Sequence, residues 1–260
     1  MAVVNSNGVD IHYDVYQNGT RPWIVFAHGA GGNAASWWQQ VPYFYDDYNI
    51  VTFDHRSFGR SRCSQAEFGA DHFVDDLRAI LDVVDIQRAA LVCQSMGGRT
   101  GLGLAIENPE RVTALVMSHT VGGLSNDAIV AARGAGTRPD PAEPFGSWAV
   151  ALDLPEKNPA LSHLYNRIGA FNVDFASFGG TASLRGGAGI DPATLDGYSV
   201  PTLYVTADQD LVIPPAVVEI GVALTPGAEL VNLGDAGHSS YFEIAADFNE
   251  VVAAFLTRVS

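Results

Sequence analysis

Ser95 stands at the apex of the run Leu91-Val92-Cys93-Gln94-Ser95-Met96-Gly97-Gly98, two residues from the small side chains of Cys93 and Gly97. The apolar stretch Ala89–Cys93 before it has the length of a strand, and Arg99–Ile106 after it is compatible with a helix. So tight a strand-to-helix turn lifts the serine hydroxyl out of a sheet and holds it beside the first helical turn. The Met96 backbone N–H then points at whatever the hydroxyl attacks. Serine is a poor nucleophile until a base takes its proton, and a third group must hold that base in the correct tautomer. The chemistry to look for is therefore acyl transfer served by a histidine and a carboxylate.

Seven histidines compete for the role of base. His238 fits best. It lies in Gly234-Asp235-Ala236-Gly237-His238-Ser239, after the strand-like run Leu230–Leu233 and before a C-terminal helical pattern. His12 falls in an N-terminal hairpin, His72 near a helix start and His163 in a loop-rich segment, so none shares that setting. The best candidate for the acid is Asp210, in Thr206-Ala207-Asp208-Gln209-Asp210-Leu211-Val212-Ile213-Pro214 after the run Thr202–Val205, with Asp208 as the alternative. The loop after Val112–Met117 offers Ser118, His119 and Thr120 but no carboxylate, which favours Asp210. His55 and His119 also follow strands and are candidates to line a substrate site.

The elements that must carry these groups are legible in the hydropathy pattern. Val9, Ile11, Tyr13 and Val15 alternate with Asp10, His12 and Asp14. With Val3-Val4 and the Asn7-Gly8 turn they predict an antiparallel hairpin. Trp23–Ala27, Ile50–Phe53, Ala89–Cys93, Val112–Met117, Thr202–Val205 and Leu230–Leu233 are short, nearly continuous apolar runs. Strands covered on both faces, as in parallel sheets, look like this. Helical faces separate several of them: Phe73, Val74, Leu77, Ile80, Leu81 and Val84 in one, and Ile244, Phe248, Val252, Phe255 and Leu256 in the last. Asp71, Asp75 and Asp76 near the start of the first suit its dipole. Alternating strand and helix predicts an α/β fold with a mostly parallel, doubly wound sheet of about eight strands.

The stretch 121–199 breaks the rhythm, leaving 1–120 and 200–260 as the core. It has Gly-Gly pairs (122–123, 179–180, 186–187), a cluster of Pro139, Pro141 and Pro144, and short helical patterns at Ala128–Arg133 and Leu161–Phe171. Its apolar residues Phe145, Trp148, Leu164, Phe171, Phe175 and Phe178 exceed what a solvated loop carries. A helical cap over the carboxyl ends of the strands is expected.

Nucleophile, acid and base in the order Ser, Asp, His, each on a loop after a parallel strand, resemble the α/β-hydrolase superfamily. Two further motifs agree. His28-Gly29-Ala30-Gly31-Gly32-Asn33 after a strand resembles the family's H-G-x-G oxyanion segment, and Asp54-His55-Arg56-Ser57-Phe58-Gly59-Arg60-Ser61 resembles its D-x-R-G-x-G-x-S turn. The resemblance implies a triad of Ser95, Asp210 and His238. It implies that the Ala30 and Met96 N–H groups form the oxyanion hole, and that His28 orders the oxyanion loop. It covers essentially the whole chain outside the insertion. Cys93 departs from the usual first glycine of the elbow and should be tolerated, being small. Ser57 departs from a glycine and is strained if that position needs positive φ.

With serine at the apex, the resemblance argues against haloalkane dehalogenases and epoxide hydrolases, which use aspartate there. It implies hydrolysis of a small, largely apolar carboxylic ester or lactone through an acyl-enzyme on Ser95. C–C bond hydrolysis of vinylogous diketones is the alternative on the same scaffold. Such enzymes tend to place Trp shortly after the base, where this chain has Ser239-Ser240-Tyr241-Phe242. A non-hydrolytic cofactor-free enzyme and a ligand sensor complete the alternatives. Arg133, Arg138, Arg167 and Arg185 are candidates to meet a substrate carboxylate.

Composition bounds the rest. In 260 residues, 47% of them hydrophobic, there is material for one sizeable core. A formal net charge of −15 repels phosphate and anionic lipid, so a small molecule is the expected partner, not nucleic acid or membrane. Monomer and homodimer both remain open. Cys63 and Cys93 have no histidine at ligand spacing, so no metal, cofactor or disulfide framework is expected. The N-terminal residues carry no basic segment followed by an apolar run, and a cytoplasmic location is expected.

Overall fold

Each apolar run of the sequence becomes a strand of one sheet. A computed structural model describes residues 2–135, 148–180 and 189–259. The strands are β1 (Ala2–Ser6), β2 (Val9–Tyr16), β3 (Trp23–Ala27), β4 (Asn49–Phe53), β5 (Ala89–Gln94), β6 (Val112–Ser118), β7 (Thr202–Thr206) and β8 (Glu229–Asn232). They stand in the order β1-β2-β4-β3-β5-β6-β7-β8. β2 is antiparallel to both neighbours, and the strands from β4 to β8 are parallel. Asn7 and Gly8 make the hairpin turn with φ of 49° and 88°, the positive pair that a two-residue turn requires.

The helices are α1 (Gln40–Phe44), α2 (Phe73–Val83), α3 (Gly97–Glu107), α4 (Asp127–Ala135), α5 (Leu154–Lys157), α6 (Pro159–Gly169), α7 (Val173–Ser177), α8 (Pro215–Leu224), α9 (Ser240–Glu243) and α10 (Ala245–Val259). Alternate residues of each central strand serve different faces. Val25, Leu91, Cys93, Leu115 and Tyr204 pack with α2, α3 and α8 through Leu77, Leu81, Leu102 and Val217. Ile24, Phe26, Val92, Val116 and Val205 pack with α1 and α10 through Phe44, Phe248, Val252 and Phe255. Two cores, one per face, are what a doubly wound sheet needs.

Two expectations need correction. β8 is not covered on both faces: it is a short edge strand whose Leu230 is exposed. Asp76 does more than favour the dipole of α2. It is fully buried and grips the buried Arg56 guanidinium with both oxygens, at 2.8 and 2.6 Å.

The long segment between β6 and β7 contains α4 to α7. A parallel bridge between Leu124 and Ile190 joins its two ends. Phe175 is buried against Phe58, ring centroids 4.4 Å apart, whereas Phe171 is 70% exposed and adds nothing to the interior. Phe145, Arg138, Arg185, the proline cluster and the 186–187 glycine pair lie outside the described residues. No helix among the described residues is long and apolar enough to cross a membrane.

Candidate active site

The turn from β5 into α3 holds Ser95 at φ 50°, a left-handed conformation that non-glycine residues rarely adopt. Such a residue stores about 1–3 kcal/mol of strain. Its surroundings over-determine it. The Ser95 N–H donates to the Ser118 carbonyl on β6 at 2.9 Å, and the Ser95 carbonyl accepts from the Gly98 N–H at 3.0 Å. A side chain at position 97 would put its Cβ 2.3 Å from the Ala27 carbonyl oxygen, so the turn closes only with glycine there. Cys93 is accommodated from the opposite side: its sulfur occupies the space that a Cβ on Gly101 would take.

His238, the candidate base, lies on the loop between β8 and α9. His238 is buried, and its Nδ1–H donates to both Asp210 oxygens, at 3.0 and 2.9 Å. That bond fixes the tautomer and leaves Nε2 as an acceptor. This Nε2 is buried and has no hydrogen-bond partner among the described residues. The loop is tied to the serine turn by Gln94, whose Nε2 donates to the His238 carbonyl at 3.1 Å. Asp208 is exposed and accepts from Asn232 instead, so Asp210 is the carboxylate that meets the histidine.

Four N–H groups, two from the backbone and two from imidazoles, converge on the buried Asp210 carboxylate. Its Oδ1 accepts the Val212 and Ile213 N–H groups, each at 2.8 Å. Its Oδ2 accepts a second imidazole, the Nδ1–H of His119, at 2.9 Å. Burial would raise the carboxyl, but His238 and His119 outweigh it and hold the group far below the usual carboxylate range. His119 is a candidate lining residue by its place in the sequence. It is instead fully buried behind the acid, at φ 54°, with its Nε2 2.7 Å from Ser240 Oγ. His119, Asp210 and His238 bring ligand-type atoms within 4.8 Å of one another. Those atoms already satisfy each other as N–H···O bonds, which an ion would have to replace.

The His28–Asn33 segment lies directly over the serine turn. A Cβ on Gly29 would fall 1.7 Å from Gln94 Oε1. His28 locks the segment: its Nδ1–H donates to the Gly29 carbonyl at 2.8 Å, and its Nε2 accepts the His55 N–H at 2.9 Å. Burial lowers His28 to about 4, so the ring stays neutral and can keep accepting. His55 does not line a site either. It is buried, bonded to Thr100 Oγ1 at 2.8 Å, and pushed well below its ordinary value by burial and by His28. Ala30 and Met96 meet in one small apolar cluster with Phe58, Phe73 and Phe175. Neither backbone N–H donates a hydrogen bond among the described residues.

Two residues that sequence reasoning did not single out connect the insertion to this site. Asn172, buried between α6 and α7, donates its amide to the Gly31 and Gly32 carbonyls at 2.8 and 3.1 Å. Its oxygen accepts the Gly59 N–H at 2.9 Å, joining the Asp54 turn to the same point. Glu243 accepts the N–H groups of Gly237, Ser239 and Ala151, at 3.2, 3.1 and 2.8 Å. Burial raises its carboxyl, while these three donors and His238 pull the other way. The Asp54 turn is structural: its carboxylate accepts Ala34 N–H at 2.7 Å and Arg60 N–H at 3.0 Å. Ser57 within it does sit at φ 75°, as the departure from glycine implied. Arg167 is exposed. Arg133 is depressed by burial and by the neighbouring Arg99, and among the described residues no contact of either arginine marks a carboxylate site.

This topology and elbow define the alpha/beta hydrolase fold, and the sequence profile of that family matches residues 22–151, half of the chain. The protein belongs to this family. The 3-oxoadipate enol-lactonase 2 of Acinetobacter baylyi is 27% identical over 265 residues, covering 98% of this chain and 96% of its own. A solved N-acyl homoserine lactone degrading enzyme is 26% identical with a TM-score of 0.77, covering 98% of this chain and all of that one. The enol-lactonase from Burkholderia xenovorans superposes with a TM-score of 0.84, covering 98% of this chain and 100% of its own; at 23% identity it speaks for the fold alone.

Proposed function

We propose that this protein hydrolyses a small, largely apolar carboxylic ester or lactone through an acyl-enzyme on Ser95. The observation that carries the proposal is His238, whose ring is held by Asp210 through Nδ1 with a buried Nε2 that has no partner among the described residues, and whose backbone carbonyl is bonded by Gln94, the residue beside Ser95. In the first step His238 Nε2 takes the Ser95 proton as Oγ attacks the carbonyl carbon. The Ala30 and Met96 N–H groups receive the developing oxyanion; one such donor is typically worth about 10²–10³ in rate. Protonated His238 then gives its proton to the leaving oxygen. In the second step it takes a proton from water as the water oxygen attacks the acyl carbon, and it returns that proton to Ser95 Oγ as the acyl–oxygen bond to Ser95 breaks, which restores the free serine and the neutral imidazole. Asp210 stays ionised throughout, as its depressed carboxyl requires.

Residues 121–199 act as a cap in this proposal. Its support is the direct bonding of Asn172 and Ala151 to the oxyanion segment and to Glu243 beside the histidine loop. The names of the lactone-cleaving relatives favour a cyclic ester among the candidate substrates.

A fluorophosphonate probe tests the nucleophile. The expected result is stoichiometric labelling that disappears in Ser95→Ala, with p-nitrophenyl esters and lactones turned over by the wild type only. Absence of labelling in folded protein, or hydrolysis that survives Ser95→Ala, overturns the proposal.

A further inference from the structure

We infer that His119 is a second positioning residue of this site, a donor that fixes the plane of the Asp210 carboxylate and shares its charge. The inference deepens the hydrolase proposal and rests on it for its kinetic consequences.

The tautomers follow from the partners. Asp210 is ionised and can only accept, so His119 Nδ1 carries the proton in the 2.9 Å bond to Oδ2. Burial disfavours the charged ring, so Nε2 is the acceptor, and Ser240 donates its hydroxyl across 2.7 Å. Ser240 therefore selects the tautomer that lets His119 donate. Donation runs from Ser240 to His119 to Asp210 and meets, at the carboxylate, the opposing donation from His238 Nδ1–H; each member of this chain is buried.

Each oxygen of Asp210 thus has its own anchor besides His238. Two backbone N–H groups hold Oδ1, and His119 holds Oδ2. Without His119 the carboxylate keeps a hinge at Oδ1 and loses the fixed second point. Its plane, and the imidazole bonded to it, can then turn. The negative charge that His119 shares would also fall more fully on His238. The charged and titratable groups facing His238 are Asp210 and His119 on the Nδ1 side and Glu243 from α9, which bonds the N–H groups on either side of it. Glu243 touches neither Asp210 nor His119 through any hydrogen bond, so its field stays constant when His119 is changed.

Asparagine and leucine have nearly the same shape, but only asparagine offers an N–H at the place of the imidazole Nδ1. Comparing His119→Leu with His119→Asn therefore separates the donor from the cavity that both create; the left-handed φ of 54° also favours asparagine, so the comparison is read on kcat and pH profile and not on stability. In His119→Leu, kcat should fall roughly ten- to hundredfold, the factor that one hydrogen bond to a charged group carries, with KM within about twofold. The acid limb of the pH profile should move to higher pH. His119→Asn should recover most of kcat and the wild-type profile. Ser240→Ala should shift the profile in the same direction by less, and it carries the test if His119→Leu does not fold. Equal kcat and superimposable profiles for Leu, Asn and wild type overturn the inference, as does a profile in Ser240→Ala that does not move. A readout without turnover separates this from failure of the hydrolase proposal. The ring-nitrogen NMR signals of His238, followed against pH in unliganded protein, should titrate differently in His119→Leu and like wild type in His119→Asn. If they do while no ester or lactone is cleaved, the hydrolase proposal alone has failed.

Discussion

Lowering the pH from about 7.5 to about 5 should destabilise this protein through His28, by an amount that can be worked out. An unfolded histidine titrates near 6.5, whereas burial holds His28 near 4 in the folded chain. The folded-state value is depressed, so the stability linked to it is complete above about 6.5 and is lost as pH falls toward 4. At about pH 5 most unfolded chains have taken up the proton and few folded ones have. The imbalance is worth about 2 kcal/mol. Protonation also has a structural cost, because a charged His28 can no longer accept the His55 N–H that orders the oxyanion segment. The assay is urea unfolding at the two pH values, followed by tryptophan fluorescence, with the buried Trp37 as an internal reporter. His28→Asn keeps an amide donor for the Gly29 carbonyl and removes the titration. It should be less stable than wild type at neutral pH and should lose about 2 kcal/mol less on acidification. His119, also depressed by burial, remains in both proteins and cancels in the comparison; His55 keeps the larger, burial part of its depression in both and loses only the part that His28 contributes. If wild type and variant lose the same increment at unchanged slope against urea, the neutral buried ring is not what acid attacks.

Removing one member of the buried Arg56–Asp76 pair leaves the other charge without compensation. Asp76→Ala should cost about 3–5 kcal/mol, a fall in Tm of roughly 10 °C by calorimetry; a change below about 2 °C would mean that the pair is not desolvated as described. Ser57→Gly should act in the opposite sense. It relieves a left-handed φ of 75° and removes a buried hydroxyl without a partner, against a smaller entropic cost in the unfolded chain. A net gain of about 1 kcal/mol, read as a Tm higher by a few degrees, is expected, and a lower Tm contradicts it.

The strands were legible because a parallel sheet covered on two faces demands unbroken apolar runs, and Trp23–Ala27 matches its run residue for residue. β8 was misjudged because Leu230 and Val231 look the same in a sequence whether a neighbour strand exists beyond them or not. Asp210 and His238 are legible as a pair, since each follows a parallel strand on the same edge of the sheet, and the structure bonds them at 2.9 Å; Ser95 is legible as the apex of the turn after β5. His119 stood in plain view at the end of β6. As a candidate lining residue its type and place fit, but only the fold shows that it lies behind Asp210 as a second donor to that carboxylate. Asp76 was assigned to a helix dipole because nothing in one dimension shows that Arg56 lies opposite. Asn172 carries no signal at all: an amide among polar and glycine residues gains its meaning only when three distant segments converge on it. Glu243 has a faint one, an acid at the first turn of a helix that follows a functional loop.

The single amide of Asn172 rivets the insertion to the carbonyls of Gly31 and Gly32 and to the N–H of Gly59. An engineer who exchanges 152–180 for a segment from another protein, to change what the site accepts, would also be replacing a fastener of the His28–Asn33 loop. A swap that stops short of position 172, or that carries an asparagine across in register, separates substrate choice from catalytic power.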